Sequence, residues 1–164
     1  MEINVIIDES FTGCPGSEWF QAVIGRVLSA QKTGPDVELG LVITNPEQIR
    51  ELNRRYRRID RPTDVLAFAM ADGEESEVEP TRFVTPPDDV QHLGEVIISY
   101  PQAVRQAQEQ AHTAEMELAI LVVHGVLHLF GYDHADPEPE RLMKAREAEI
   151  LGTLEGIINS EPPR

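Results

Sequence analysis

Apolar residues recur along the chain at two different spacings, which predicts short strands interspersed with helices. Short apolar or alternating runs predict four strands, over Ile3–Ile7, Val37–Thr44, Val65–Met70 and Val96–Ser99. Helical spacing and helix-start signals predict five helices. Three have predicted ranges, Ser17–Gln31, Pro46 to about Tyr56, and about Ala114–Phe130. The other two have a predicted start only, one near Pro101 and one at Asp136. These elements predict an α/β (α+β) fold with a small, mostly parallel four-stranded sheet.

Three of the predicted helices carry an apolar stripe that is expected to fill the core. The stripes are Trp19, Phe20, Val23, Val27 and Leu28; then Ile49, Leu52 and Tyr56; then Met143, Ile150, Leu154 and Ile157. Seven acidic residues, one glycine and three prolines fall within 71–90, which predicts an acidic surface loop over residues 71–91. We expect one domain over residues 1–159 and a frayed tail over 160–164.

Composition first argues against nucleic acid as a partner. The 164 residues hold 29 acidic against 14 basic side chains, a net charge of −15, whereas phosphate binding needs Lys and Arg. The same charge disfavours an anionic membrane surface. The single cysteine, Cys14, excludes an internal disulfide and a cysteine-based zinc site, and the N-terminus does not resemble a signal peptide, so we expect a cytoplasmic protein.

Three histidines predict a metal site where a helix ends. His124 and His128 are four residues apart, so a helix places both imidazoles on one face, within reach of one ion. Gly131 fits a left-handed turn that would bring His134 back as a third ligand. Five histidines in this length give about 0.005 chance occurrences of that spacing, so ordinary helix and loop histidines are the weaker interpretation. His92 and His112 lie outside the spacing and are interpreted as a loop and a helix-end residue.

Three imidazoles suit one Zn²⁺ ion and leave a fourth position open, which is typical of catalytic zinc. Zinc peptidases with this spacing carry a glutamate directly after the first histidine, as the general base. Gly125 occupies that position here, so a metallopeptidase is disfavoured. The general base is not identified from the sequence, and Asp133 is a candidate only as a turn residue or as a partner of a ligand.

Six of the fourteen basic residues are arginines packed into twelve positions: Arg50, Arg54, Arg55, Arg57, Arg58 and Arg61. Arg50, Arg54, Arg57 and Arg61 would share one face if the helix continued that far. A solvated helix face is the ordinary interpretation of a charge run. The exclusive use of arginine, which binds phosphate bidentately and stacks on bases, favours a phosphate-backbone site.

Three motifs together resemble the YbeY family of bacterial rRNA maturation factors and single-strand-specific endoribonucleases. The first is the histidine motif His124–His134; the second is Leu52–Arg57 followed by Pro62–Phe68; the third is Leu93–Ser99. The resemblance covers about residues 2–155. The sequence departs from the usual pattern at Ala67, at Arg58-Ile59 and in a longer acidic loop, and the second of these changes is expected to alter RNA contacts.

The resemblance implies one zinc ion on His124, His128 and His134, with Arg57 as the functional arginine near the metal. It implies an endoribonuclease that acts on single-stranded RNA, matures the 3′ end of small-subunit (16S) rRNA and takes part in ribosome quality control. The implied partners are rRNA and the small ribosomal subunit with its proteins, without DNA or membrane. Arg50, Arg54, Arg58 and Arg61 are further RNA-binding candidates. A zinc-stabilised assembly factor that cuts nothing remains the main alternative.

Overall fold

The computed structural model describes residues 1–58, 63–69, 91–131, 137–154 and 156, with residues 57 and 137–140 described by their backbone alone. These residues form four strands, β1 (Glu2–Ile7), β2 (Val37–Thr44), β3 (Val65–Ala69) and β4 (Gln91–Ser99). They also form five helices, α1 (Ser17–Ala30), α2 (Pro46–Arg57), α3 (Tyr100–Gln110), α4 (Ala114–Leu129) and α5 (Pro137–Thr153). The predicted fold class, element order and number of elements are confirmed, whereas most of the predicted loop 71–91 and the tail 160–164 lie outside the described residues.

The strands form one mostly parallel sheet in the order β1-β2-β4-β3. β1 pairs parallel with β2, β2 pairs parallel with β4, and β3 is antiparallel to β4. The two parallel pairings need crossovers, which α1 and the α2–β3 segment supply. None of the helices within the described residues is long and apolar enough to cross a membrane.

Alternation along the strands gives the sheet two apolar faces of unequal size. Val96 and Ile98 of β4 join the main core, which contains the buried stripes of α1, α4 and α5. Ile97, between them, faces the opposite side and packs with Ile49 of α2 and Leu66 of β3 in a small second cluster. Among the described residues, the sheet is therefore covered heavily on one face and lightly, by α2, on the other.

Two of the predicted helix stripes match the buried residues closely. Phe20, Val23, Val27 and Leu28 of α1, and Met143, Ile150 and Leu154 of α5, are all buried. Trp19 is only partly buried, and Ile157 lies outside the described residues. The prediction that α2 buries Tyr56 is wrong, because this side chain is 61% exposed and packs edge-on against Phe68, with the ring centroids 5.7 Å apart.

β4 begins five residues earlier than the sequence predicts. Gln91 pairs with Val37 and His92 pairs with Glu38, so residue 91 belongs to the sheet and His92 is a strand residue instead of a loop residue. The His92 Nδ1 atom lies 2.5 Å from Glu38 Oε1 on β2. Cross-strand pairing of polar residues, which an apolar pattern does not reveal, explains the difference. His112 follows the end of α3, as predicted.

Candidate metal centre

α4 is the central helix of the fold, and only one narrow stripe of it reaches solvent. It contacts α1, α3 and α5 as well as β3 and β4. From Glu117 to Leu129 every residue is buried except Ile120, His124 and His128, which follow one another at intervals of four. Helical geometry therefore places both histidines together on the accessible stripe of an otherwise buried helix.

The two histidine rings approach each other through their Nε2 atoms. The distance between His124 Nε2 and His128 Nε2 is 3.2 Å, and the ring centroids are 4.7 Å apart at an interplanar angle of 73°. Two imidazole nitrogens on one tetrahedral Zn²⁺, each about 2.05 Å from the ion, are separated by about 3.3 Å. The spacing and the chemistry of the two donors therefore fit a shared metal ion.

A carboxylate contacts the Nδ1 atom of His124, on the opposite side of the ring from His128. Glu147 of α5 places Oε2 at 2.6 Å from His124 Nδ1, and the side chains of Glu147 and His124 are 19% and 31% exposed. When Nδ1 donates this hydrogen bond, the lone pair of the neutral ring lies on Nε2, which faces His128. Metal-ligating histidines commonly have such a carboxylate partner.

Glu147 is the site residue that the sequence analysis missed. It lies four residues after Met143 and three before Ile150, on the helical stripe that α5 buries. A glutamate at a core position of an amphipathic helix is unusual, because burial of an unpaired carboxylate is costly. That interruption of the apolar stripe is the signal that identifies Glu147 in the sequence.

The third predicted ligand, His134, lies outside the described residues. Within the described part of the chain, no three His, Cys, Asp or Glu side chains are grouped so as to hold a metal. The left-handed conformation predicted at Gly131 is present, because this residue has a φ of +94° two positions after the end of α4. Its amide donates a 3.0 Å hydrogen bond to the carbonyl oxygen of His128. Glycine adopts this left-handed conformation without strain.

Gly125 marks the point where the three sequence motifs meet. A Cβ built on Gly125 would lie 2.6 Å from Val96 Cγ1 and 3.3 Å from Val65 Cγ2. Val96 belongs to the third motif and Val65 to the second, so the helix that bears the histidines is pressed against both. A glutamate at position 125, as in zinc peptidases, would have to displace β3 and β4.

The arginine segment is only partly assembled as predicted. α2 ends at Arg57, and Arg58 has a left-handed φ of +59°, so the helical face that carries Arg50 and Arg54 ends there. Arg61 and the side chain of Arg57 lie outside the described residues, while Arg50 and Arg58 are exposed. Arg54 Nη2 lies 2.8 Å from Glu51 Oε1, and Arg55 Nη2 lies 3.6 Å from Glu51 Oε2. One carboxylate thus partly neutralises the RNA-binding candidate Arg54 and its neighbour Arg55.

A polar network anchors the start of β3 beside α3 and α4. The Gln106 side-chain amide donates to Glu117 Oε2 at 2.7 Å and to Asp64 Oδ2 at 3.3 Å. His112 Nε2 lies 2.7 Å from Glu117 Oε1, so each oxygen of this buried carboxylate has a hydrogen-bond partner. Because these bonds satisfy Glu117 within the fold, the network has a structural role in fixing the second motif.

The fold and the paired histidines define an α/β protein with a candidate metal site on its central helix. The family model described as Endoribonuclease YbeY matches residues 9–155. The chain belongs to this family.

Individual relatives agree with the family match over nearly the whole chain. An Endoribonuclease YbeY of Dehalococcoides mccartyi strain BAV1 is 48% identical over 159 residues, covering 96% of this chain and 99% of the relative. That of Chloroflexus aurantiacus is 42% identical over 153 residues, covering 93% and 94%. The solution structure of TM1509 from Thermotoga maritima is similar with a TM-score of 0.57, at 27% identity and 99% coverage of both chains.

Proposed function

We propose that this protein is a zinc-dependent endoribonuclease that cleaves single-stranded RNA during maturation of the 3′ end of small-subunit rRNA and in ribosome quality control. The observation that carries the metal-dependent chemistry is the pair of Nε2 atoms on His124 and His128, 3.2 Å apart on the accessible stripe of α4. RNA as the substrate is supported by relatives named endoribonuclease that match almost end to end.

His124, His128 and His134 would hold the zinc ion. When bound, zinc supplies Lewis-acid polarisation of a phosphoryl oxygen and lowers the pKa of a coordinated water. The chain's own contribution is rigidity, because from Glu117 to Leu129 α4 is buried except along the stripe that carries the histidines. A site fixed by the core holds its groups in place without reorganisation during the reaction.

Arg57 is proposed to stabilise the negative charge that grows on the phosphate during cleavage. Its backbone closes α2, and the next strand along the chain is β3, whose Val65 lies against the histidine helix beside Gly125. Arg50, Arg54, Arg58 and Arg61 are proposed to contact the phosphates on either side. Arginine suits both tasks, since its planar group donates two parallel hydrogen bonds to one phosphate.

We further propose that the protein acts in the cytoplasm, on the small ribosomal subunit and its proteins. A single cysteine suits a reducing compartment. The net charge of −15 supports a need for partners, because a strongly acidic protein binds bare RNA weakly and gains from proteins that present the substrate.

The decisive experiment compares cleavage of a single-stranded RNA by the wild type, by the wild type with chelator, and by His124→Ala and His128→Ala. We expect cleavage by the untreated wild type alone, with restoration when zinc is returned after chelation. Chelator-sensitive cleavage of casein instead of RNA would support the metallopeptidase. If no RNA is cut while His124→Ala still supports maturation of ribosomes, the nuclease proposal is wrong and a non-catalytic assembly factor is favoured.

A further inference from the structure

We propose that Glu147 is a positioning residue that sets the tautomer and orientation of His124, and thereby the metal affinity of the site. This inference rests on the proposed metal site and adds to it a residue from a different helix, 23 positions along the chain. Glu147 is not proposed to touch substrate or metal. It acts through His124.

The contact is specific because both sides of the His124 ring are engaged by different partners. Nδ1 lies 2.6 Å from Glu147 Oε2, and Nε2 lies 3.2 Å from His128 Nε2. A hydrogen on Nδ1 satisfies the carboxylate and leaves the Nε2 lone pair on the side of His128. The opposite tautomer would leave the carboxylate facing a lone pair and place a hydrogen where the metal is expected.

The packing of α5 holds the carboxylate in place. Met143 and Ile150, one turn before and one turn after Glu147, are 1% and 0% exposed, so the helix cannot rotate without exposing core residues. The neighbouring Arg146 does not neutralise Glu147, because its guanidinium binds Gln31 Oε1 and Glu149 Oε1, each at 2.8 Å. The carboxylate is thus directed at the imidazole.

The chemical consequence is a stronger and better oriented ligand. A carboxylate that accepts from Nδ1 fixes the tautomer and the ring plane of a ligating histidine. Removal of such a partner typically lowers metal affinity by about 10- to 100-fold. The expected effect is on affinity and geometry, so it is measurable without any RNA.

The first test is competition for zinc between the protein and a chromogenic chelator, with the wild type, Glu147→Ala, Glu147→Gln and Glu149→Gln. Glu149 is the matched control, since it lies on the same helix and its 66% exposed side chain pairs with Arg146. We expect binding to weaken by about 10- to 100-fold in Glu147→Ala and by less in Glu147→Gln, whose amide oxygen still accepts from Nδ1. Glu149→Gln should bind as the wild type does. Equal affinity in all four folded proteins would overturn the proposal.

The second test reads the tautomer directly in metal-free protein, by ¹⁵N NMR of the imidazoles in weakly alkaline buffer. We expect the hydrogen on Nδ1 of His124 in the wild type and in Glu149→Gln, a shift toward Nε2–H in Glu147→Ala, and a smaller shift in Glu147→Gln, whose amide can either accept from Nδ1 or donate to it. An unchanged tautomer would contradict the inference. If Glu147→Ala does not fold, Glu147→Gln carries both tests.

The outcomes separate this inference from the proposed function. A wild type that binds zinc through a Glu147-dependent site and cuts no RNA refutes the nuclease and supports the positioning role. A wild type that cuts RNA, with Glu147 variants equal to it in zinc affinity and tautomer, refutes the positioning role alone.

Discussion

At the scale of single residues, Gly125 shows how closely the histidine helix is fitted to the sheet. Its hydrogen faces Val96 and Val65 at distances that leave no room for a methyl group. Interiors are packed at crystal-like density, so an added carbon there must move a strand or a helix. Packing therefore constrains Gly125, which lies between His124 and His128 in the sequence, whatever chemistry the site performs.

Gly125→Ala should lower the free energy of unfolding by about 1–2 kcal/mol. Overpacking costs about 1–3 kcal/mol, and the better helix propensity of alanine offsets up to about 1 kcal/mol of it. Urea denaturation measures the change. Gly25→Ala on α1 is the control, because nothing lies within 4 Å of its added Cβ and only the propensity gain is expected. A stabilised Gly125→Ala protein would show that the contact relaxes freely.

Cys14 is expected to be an unreactive thiol. Burial, together with the negative charge of Glu115, raises its pKa from 9.0 to about 11. A raised pKa means that the thiolate is scarce below that value, so at pH 8 its fraction is roughly 100-fold lower than for an ordinary cysteine.

Reaction with a disulfide reagent at pH 8 should accordingly be slow in the folded protein and fast in urea. In the folded state the rate should rise as pH increases toward 11, because the nucleophile is the thiolate. Equal rates in the presence and absence of urea would contradict the raised pKa.

At the scale of elements, side-chain caps fix where the helices near the site begin. Asn45 Oδ1 accepts from the amide of Gln48 at 2.7 Å at the start of α2. Thr113 Oγ1 accepts from the amide of Met116 at 3.1 Å at the start of α4. These caps satisfy amides that have no partner within the helix.

Thr113→Ala should destabilise the protein by about 1 kcal/mol, because the first turn of α4 loses its cap. Thr113→Ser keeps the hydroxyl and should stay close to the wild type. Urea denaturation with an unchanged m-value checks both variants. Equal losses in the two variants would mean that the threonine methyl group, instead of the cap, is responsible.

Elements with a strong pattern were predictable from the sequence, and elements that depend on their neighbours were not. The start of α2 at Pro46 follows from Asn45-Pro46, and the course of α4 follows from its apolar run and its end before Gly131. The first half of β4 is polar and exists through pairing with β2, which a local pattern does not contain. Tyr56 has core spacing, yet α2 covers only a small cluster and leaves its last turn at the surface.

In the candidate site, too, the part that follows from local helical geometry was predictable and the part that depends on tertiary packing was not. The pairing of His124 and His128 follows from helical geometry alone, and the structure places the two rings together. Glu147 depends on how α5 docks against α4, which is a tertiary property. The roles of His134 and Arg57 stay predictions.

At the scale of the whole molecule, the distribution of charge matters more than its sum. The net charge is −15, yet six arginines lie within residues 50–61. Glu51 pairs with Arg54 and Arg55, so part of that positive charge is already compensated. These exposed pairs contribute little to stability, about 0–1 kcal/mol each, and are therefore suitable for substitution.

Glu51→Gln should strengthen binding to single-stranded RNA several-fold and steepen its dependence on salt by about one unit in the logarithmic slope. The reason is that Arg54 and Arg55 each lose a carboxylate that competes with phosphates for the guanidinium group. Fluorescence anisotropy over a range of salt concentrations measures both quantities. Glu47→Gln on the same helix makes an equal change in net charge and is the control. An identical gain in both variants would attribute the effect to net charge alone.

The burial of α4 ties the candidate metal centre to the global stability of the protein. Because this helix is exposed only at Ile120, His124 and His128 over the span Glu117–Leu129, its amides are shielded until the core itself opens. A ligand that binds only the folded state at 100 times its dissociation constant adds about 2.7 kcal/mol to stability. Zinc, if bound as proposed, should therefore slow hydrogen exchange in the core strands and helices as well as at the histidines, which would couple metal availability to the stability of the entire fold.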